Sequence, residues 1–171
     1  MHLVQSDKTP ADFELVLGRG IHPFYLDMTA DQVFESAVGW KIVSVEREDA
    51  DCIHFQFEAR GKCIEVCLIN IFWLEPGAWS HYRVYHICTE HLQFSDGKHL
   101  SGMKKESVLS RFTGENVLVK EEYPGEGDEE DLGTYFYNST NKDLHLILDE
   151  YGKHSLSIGR MPVFGYGQDY G

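Results

Sequence analysis

The stretch CIHFQFEARGKCIEVCLI, residues 52–69, decides the fold. Phe55 and Phe57 alternate with polar neighbours before ARGK, and Ile64, Val66 and Leu68 alternate after it. A period of two on both sides of a short Gly-containing turn is the pattern of a β-hairpin with one buried face. The stretch LGTYFYNSTNKDLHLILD, residues 132–149, repeats it at an offset of 80. Tyr135 and Tyr137 take the places of Phe55 and Phe57, Lys142 that of Lys62, and Leu144, Leu146 and Leu148 those of Ile64, Val66 and Leu68.

Self-similarity extends upstream at an offset of 75. DMTADQVFESAVG (27–39) matches GMKKESVLSRFTG (102–114), with Met28 on Met103, Val33 on Val108, Phe34 on Leu109 and Gly39 on Gly114. Ala30, Val33, Phe34, Ala37 and Val38 form the apolar stripe of a short amphipathic helix. Thr29 and Gln32 make a capping box at its start, and Gly39 supplies a stop. The strands KIVSVE (41–46) and NVLVKE (116–121) keep the offset of 75, so five extra residues enter the second copy after Glu121. One or two further strands are expected in WSHYRVYHICTEHLQF (79–94), the second copy ends with KHSLSIGRMPVF (153–164), and WLEPGAW (73–79) is turn-rich.

The expected fold is therefore α+β, mainly an antiparallel β-meander sheet with short helices and an internally duplicated helix–meander unit. One domain spans 1–171, built of repeats at about 15–95 and 96–164 and a frayed tail at 165–171.

The inserted residues lie in EEYPGEGDEEDLG (121–133), which holds Glu121, Glu122, Glu126, Asp128, Glu129, Glu130 and Asp131. These seven carboxylates belong to a chain with 28 acidic and 15 basic residues and a formal charge of −13. The matching turn of the first copy, EREDAD (46–51), adds Glu48, Asp49 and Asp51. Two acidic turns at matching positions suggest one negative face suited to a basic partner, which such a charge attracts at long range. Direct nucleic-acid binding is disfavoured, since only Lys104 and Lys105 are adjacent cations.

No residue pattern requires a metal or cofactor, and none is expected. Cys63 and Cys67 have a zinc-like spacing, but four residues along a strand span about 13 Å. His81 and His86 fall on opposite faces of a strand. The four cysteines, Cys52, Cys63, Cys67 and Cys88, are expected to be reduced and mostly buried. Cys88 with His86 and His91, or Glu129 with Glu130, gives no supported catalytic pair, so the chain is not expected to be an enzyme. The acidic run also lacks the ligand spacing of a calcium loop. Neither a secretory signal nor an apolar run long enough for a bilayer is visible, which points to the cytoplasm.

LGRGIHPFYLDMTADQVFESAVG (17–39), followed by CIHFQFEARGKCIEVCL (52–68), resembles immunity proteins of bacterial contact-dependent growth inhibition systems. The likeness rests on the Gly-Ile entry, the L-x-M-[ST]-x-x-x-V helix of Leu26 to Val33 and the meander after it. It implies a cytoplasmic protein that binds the C-terminal toxin domain of an exported effector. Such toxins are often nucleases with basic clefts, which an acidic inhibitor occludes at the active site or an exosite. No functional residue is carried over from the family; the ten acidic positions above come from charge alone. The alternative is a small-molecule-binding or enzymatic domain with a pocket lined by Trp73, Trp79, Tyr82 and Tyr85. A third is a homo-oligomeric module paired through an exposed strand edge.

Overall fold

The computed structural model describes residues 8–48, 51–71, 79–120, 134–149 and 152–159. In chain order its elements are β1 (Leu15–Val16), β2 (Gly20–Ile21), β3 (Phe24–Tyr25), α1 (Ala30–Ser36), β4 (Lys41–Arg47), β5 (Cys52–Ala59), β6 (Lys62–Asn70) and β7 (Tyr82–Thr89). They continue with α2 (Lys105–Leu109), β8 (Leu118–Lys120), β9 (Thr134–Ser139), β10 (Leu144–Asp149) and β11 (Ser155–Gly159). The fold is mainly antiparallel β with short helices, as the two hairpin patterns indicate.

Eight strands form one sheet in the order β4-β5-β6-β7-β11-β10-β9-β8, and every neighbouring pair is antiparallel. The two four-stranded meanders thus meet at their last strands, β7 and β11. The seam matches Leu156 with Thr89, Ser157 with Cys88, Ile158 with Ile87 and Gly159 with His86.

The first hairpin turns at Arg60 and Gly61, both at positive φ (52° and 74°), which suits the twist of tightly joined strands. One face of the sheet carries Phe55, Phe57, Ile64, Val66 and Leu68 from the first meander and Leu144, Leu146, Leu148, Leu156 and Ile158 from the second. These join Val33 of α1 and Val108 of α2 in a single core. The helix α1 begins at the capping box of Thr29 and Gln32. Its buried stripe is narrower than the pattern suggests: Ala30, Val33 and Ala37 are buried, whereas Phe34 and Val38 are exposed. Phe34 instead packs edge-on against Phe55 and Trp79. The chain entering α2 is held by His154, which is buried and accepts the Asp149 N–H at Nδ1 while facing the Met103 carbonyl at 2.6 Å through Nε2.

Segment 79–94 gives one strand, within the one or two expected there, after a 3-10 turn at Trp79–His81. Other boundaries differ from the expectation. β8 is confined to Leu118–Lys120, because a 3-10 turn occupies Gly114–Asn116. The small sheet β1-β2-β3 was not expected from LGRGIHPFY; runs of two residues carry too little periodicity to be read. Phe24 from this sheet stacks on Phe57 at 4.9 Å, which fixes it on the same face as the helices. The acidic run 121–133, most of WLEPGAW and the tail lie outside the described residues. No helix among the described residues is long and apolar enough to cross a membrane.

Candidate functional site

The second face of the sheet concentrates the polar chemistry. Alternation that turns Ile53, Phe55 and Phe57 into the core turns Cys52, His54 and Gln56 the other way. On β6 it likewise presents Glu65 and Cys67, and the pairing of β5 with β6 sets His54 directly opposite Cys67. On β7 a register shift leaves Tyr85 as an extra residue between Val84 and His86.

His54 is the centre of this face. Its Nε2 lies 3.0 Å from Glu48 Oε2 and 3.3 Å from Cys52 Sγ. Its Nδ1 lies 3.2 Å from Cys67 Sγ and 3.6 Å from Glu65 Oε1. The Cys67 thiol donates to Glu65 Oε1 at 3.4 Å, and Cys52 Sγ is 3.2 Å from the Tyr85 hydroxyl. Two trios in this group, Glu48–Cys52–His54 and His54–Glu65–Cys67, bring donor atoms close enough to share a cation.

All four cysteines are thiols rather than disulfides; Cys52 and Cys67 are buried, and Cys63 and Cys88 half-buried. Burial, reinforced by the Glu65 carboxylate, pushes the Cys67 thiol far up. Burial, with Glu65 and Glu90 adding to it, pushes Cys88 up to about 11. A Cys88 thiol so raised stays protonated near neutrality, so the Cys88–His86–His91 grouping lacks an activated thiolate. Burial also raises the Tyr85 phenol, with its hydrogen bond to Cys52 second. Burial lowers His86 against the opposing pull of Glu65, and His145 and His54 lower it further.

Beside this group lies a cavity of about 460 Å³ walled by Tyr85, His86, Lys120, Lys142, His145 and Gly159, among others. His145 is oriented by its hydrogen bond to Asn138. Gly159 is required here for close approach: a Cβ would meet His86 Cδ2 at 3.0 Å and the Tyr85 carbonyl oxygen at 3.2 Å. The cavity is not the aromatic pocket expected from Trp73, Trp79, Tyr82 and Tyr85. Tyr82 is in the core, Trp79 packs on Phe34, Phe55 and Tyr82, and Trp73 is outside the described residues, leaving Tyr85 alone.

Of the ten acidic positions, Glu121, Glu122, Glu126, Asp128, Glu129, Glu130, Asp131 and Asp49 lie outside the described residues. Glu48 contacts His54, and Asp51 accepts hydrogen bonds from Asn70 through its carboxylate at 3.4 Å and its carbonyl at 2.8 Å. Seven antiparallel steps separate β4 from β8. The ends of β4 and β8 that lead into the two acidic connections therefore lie at opposite edges and opposite ends of the sheet, roughly 34 Å apart across it.

Cysteine spacing along a single strand does not reveal the His54 group, whose members lie on two paired strands and the connection between β4 and β5. The signal was in the hairpin: a two-residue turn at Arg60–Gly61 counts back to His54 opposite Cys67 and Gln56 opposite Glu65. Glu48 and Tyr85 had no such signal, since one lies beyond the end of β4 and the other in a register shift.

No protein-family model matches the chain, no curated protein matches it, and no solved structure matches its fold.

Proposed function

We propose that the protein is a cytoplasmic immunity protein that neutralises a basic toxin domain, a nuclease, by occluding its active site or an exosite. The observation that carries this reading is the distribution of charge. The described residues are close to balance, with sixteen Asp and Glu against fourteen Lys and Arg. The excess behind the formal −13 lies elsewhere in the chain, with seven carboxylates in residues 121–131 alone. A concentrated negative segment steers a basic partner and speeds its encounter, while buried apolar contacts set how long the complex lasts. Edge strand β4 offers such contacts through the exposed side chains of Ile42, Val43 and Val45. The test is co-expression with a toxin domain encoded beside this chain's gene. Growth arrested by the domain alone and restored by this protein supports the reading; a neighbouring toxin domain that still arrests growth, or the absence of one, overturns it.

A second reading rests on the 460 Å³ cavity, whose Lys142, His86 and His145 suit a small anionic ligand. Millimolar inorganic phosphate or small carboxylates would then raise the melting temperature of the wild type and not of Lys142→Ala. Equal melting temperatures with and without these anions remove this reading.

A further inference from the structure

We propose that His54, Glu65 and Cys67 form a binding centre for zinc or a closely similar divalent cation, with Glu48 orienting His54 from behind. The inference stands apart from the partner-binding reading and rests on the geometry of four side chains. Zinc bonds of about 2.0–2.1 Å to nitrogen or oxygen and about 2.3 Å to sulfur place neighbouring ligands of a tetrahedron about 3.4–3.6 Å apart. The three edges of this trio are 3.2 Å (Nδ1 to Sγ), 3.6 Å (Nδ1 to Oε1) and 3.4 Å (Sγ to Oε1). A few tenths of an ångström separate the trio from one face of a zinc tetrahedron, within the reach of small side-chain rotations.

The other nitrogen of His54 is also accounted for. With Nδ1 toward the cation, Nε2–H donates to Glu48 Oε2 at 3.0 Å, the carboxylate–histidine arrangement that fixes the tautomer of metal ligands and raises their basicity. One cation thus explains both carboxylates around the ring. The alternative trio explains less: Cys52 Sγ lies 3.2 Å from the Tyr85 hydroxyl, and the 3.0 Å separation of Glu48 from His54 is that of an ordinary hydrogen bond.

The donors sit on rigid adjacent strands, His54 opposite Cys67 and Glu65 two residues before it, which suits a site assembled before the ion arrives. A nitrogen–oxygen–sulfur set favours zinc over calcium or magnesium, which take oxygen ligands. Three protein ligands leave a fourth position for water. His86, opposite Cys67 on β7, also walls the 460 Å³ cavity, so the centre and the cavity share a boundary.

The experiment uses the full chain, stripped of metal and titrated with Zn²⁺ against a chromophoric chelator and with Co²⁺ by absorption spectroscopy. The expected result is one equivalent bound, with a thiolate-to-cobalt charge-transfer band and the strong visible bands of tetrahedral cobalt. Cys67→Ser removes the charge-transfer band, and His54→Gln abolishes tight binding. Glu65→Gln alters a side chain that is 46% exposed, so it weakens binding without unfolding the protein. Glu48→Gln weakens zinc by about 10- to 100-fold. Cys63→Ser and Cys52→Ser bind as the wild type does. Binding unchanged in Glu65→Gln, a cobalt spectrum lacking the thiolate band, or loss of the band in Cys52→Ser with retention in Cys67→Ser overturns the assignment.

Discussion

Replacing Ile158 by alanine tests whether the two meanders unfold as one body. Ile158 is fully buried and faces the equally buried Ile87 across the β7–β11 seam, the one place where the eight-stranded sheet passes from the first half to the second. The substitution removes three carbons, about 2.4 kcal/mol of transfer free energy at about 0.8 kcal/mol each. The cavity left between rigid strands brings the total to about 3–5 kcal/mol. At roughly 2–4 °C per kcal/mol for a chain of this length, the melting temperature falls by about 6–20 °C. All three tryptophans, Trp40, Trp73 and Trp79, belong to the first half, so their fluorescence reports on the half that is not mutated. With a shared core and a continuous sheet, thermal unfolding followed by tryptophan fluorescence and by far-UV circular dichroism shifts by the same amount. A fluorescence transition that stays in place while the dichroism transition splits in two refutes the reasoning.

Three further outcomes are expected. Gly61→Ala costs about 1–2 kcal/mol in denaturant unfolding: φ is +74° and no atom lies within 4 Å of the added Cβ, so the penalty is conformational alone. An unchanged midpoint contradicts it. Burial holds His86 below the ordinary 6.5, so the folded state binds fewer protons than the unfolded state as the pH drops past that value. Stability is then lost on acidification from about pH 6.5 downward, more steeply in the wild type than in His86→Gln, and equal slopes in the two proteins remove His86 from the acid response. Reversing Asp128, Glu129 and Glu130 to lysine moves the net charge from −13 to −7 and slows association with the toxin domain by roughly tenfold or more at low salt, with a flatter salt dependence. Unchanged association rates take this segment out of the mechanism.

Most of the sheet was legible because its signal is local. Phe55, Phe57, Ile64, Val66 and Leu68 alternate without a break, and Leu144, Leu146 and Leu148 repeat them, so a buried face follows from spacing alone. Thr29 and Gln32 fix the start of α1 for the same reason: both hydrogen bonds of the box span three residues. What resisted reading is non-local. Joining the meanders through Ile87 and Ile158 pairs residues 71 apart, and no local periodicity encodes that choice. Val38 continues the helical stripe of α1 yet stays 82% exposed, because α1 ends at Ser36 and the chain turns away through Gly39 at a φ of +87°. The His54 group lies between these limits. Its core pair follows from the hairpin turn, while Glu48 reaches His54 across the end of β4 and Tyr85 enters through a register shift.

The central claim is stoichiometric neutralisation of a basic partner, and the most direct measurement is nuclease activity of the purified toxin domain titrated with this protein. The account predicts activity falling linearly to zero at one equivalent, with calorimetry giving a single 1:1 complex. Activity that persists in the presence of excess protein, or a domain that shows no heat of binding, contradicts it.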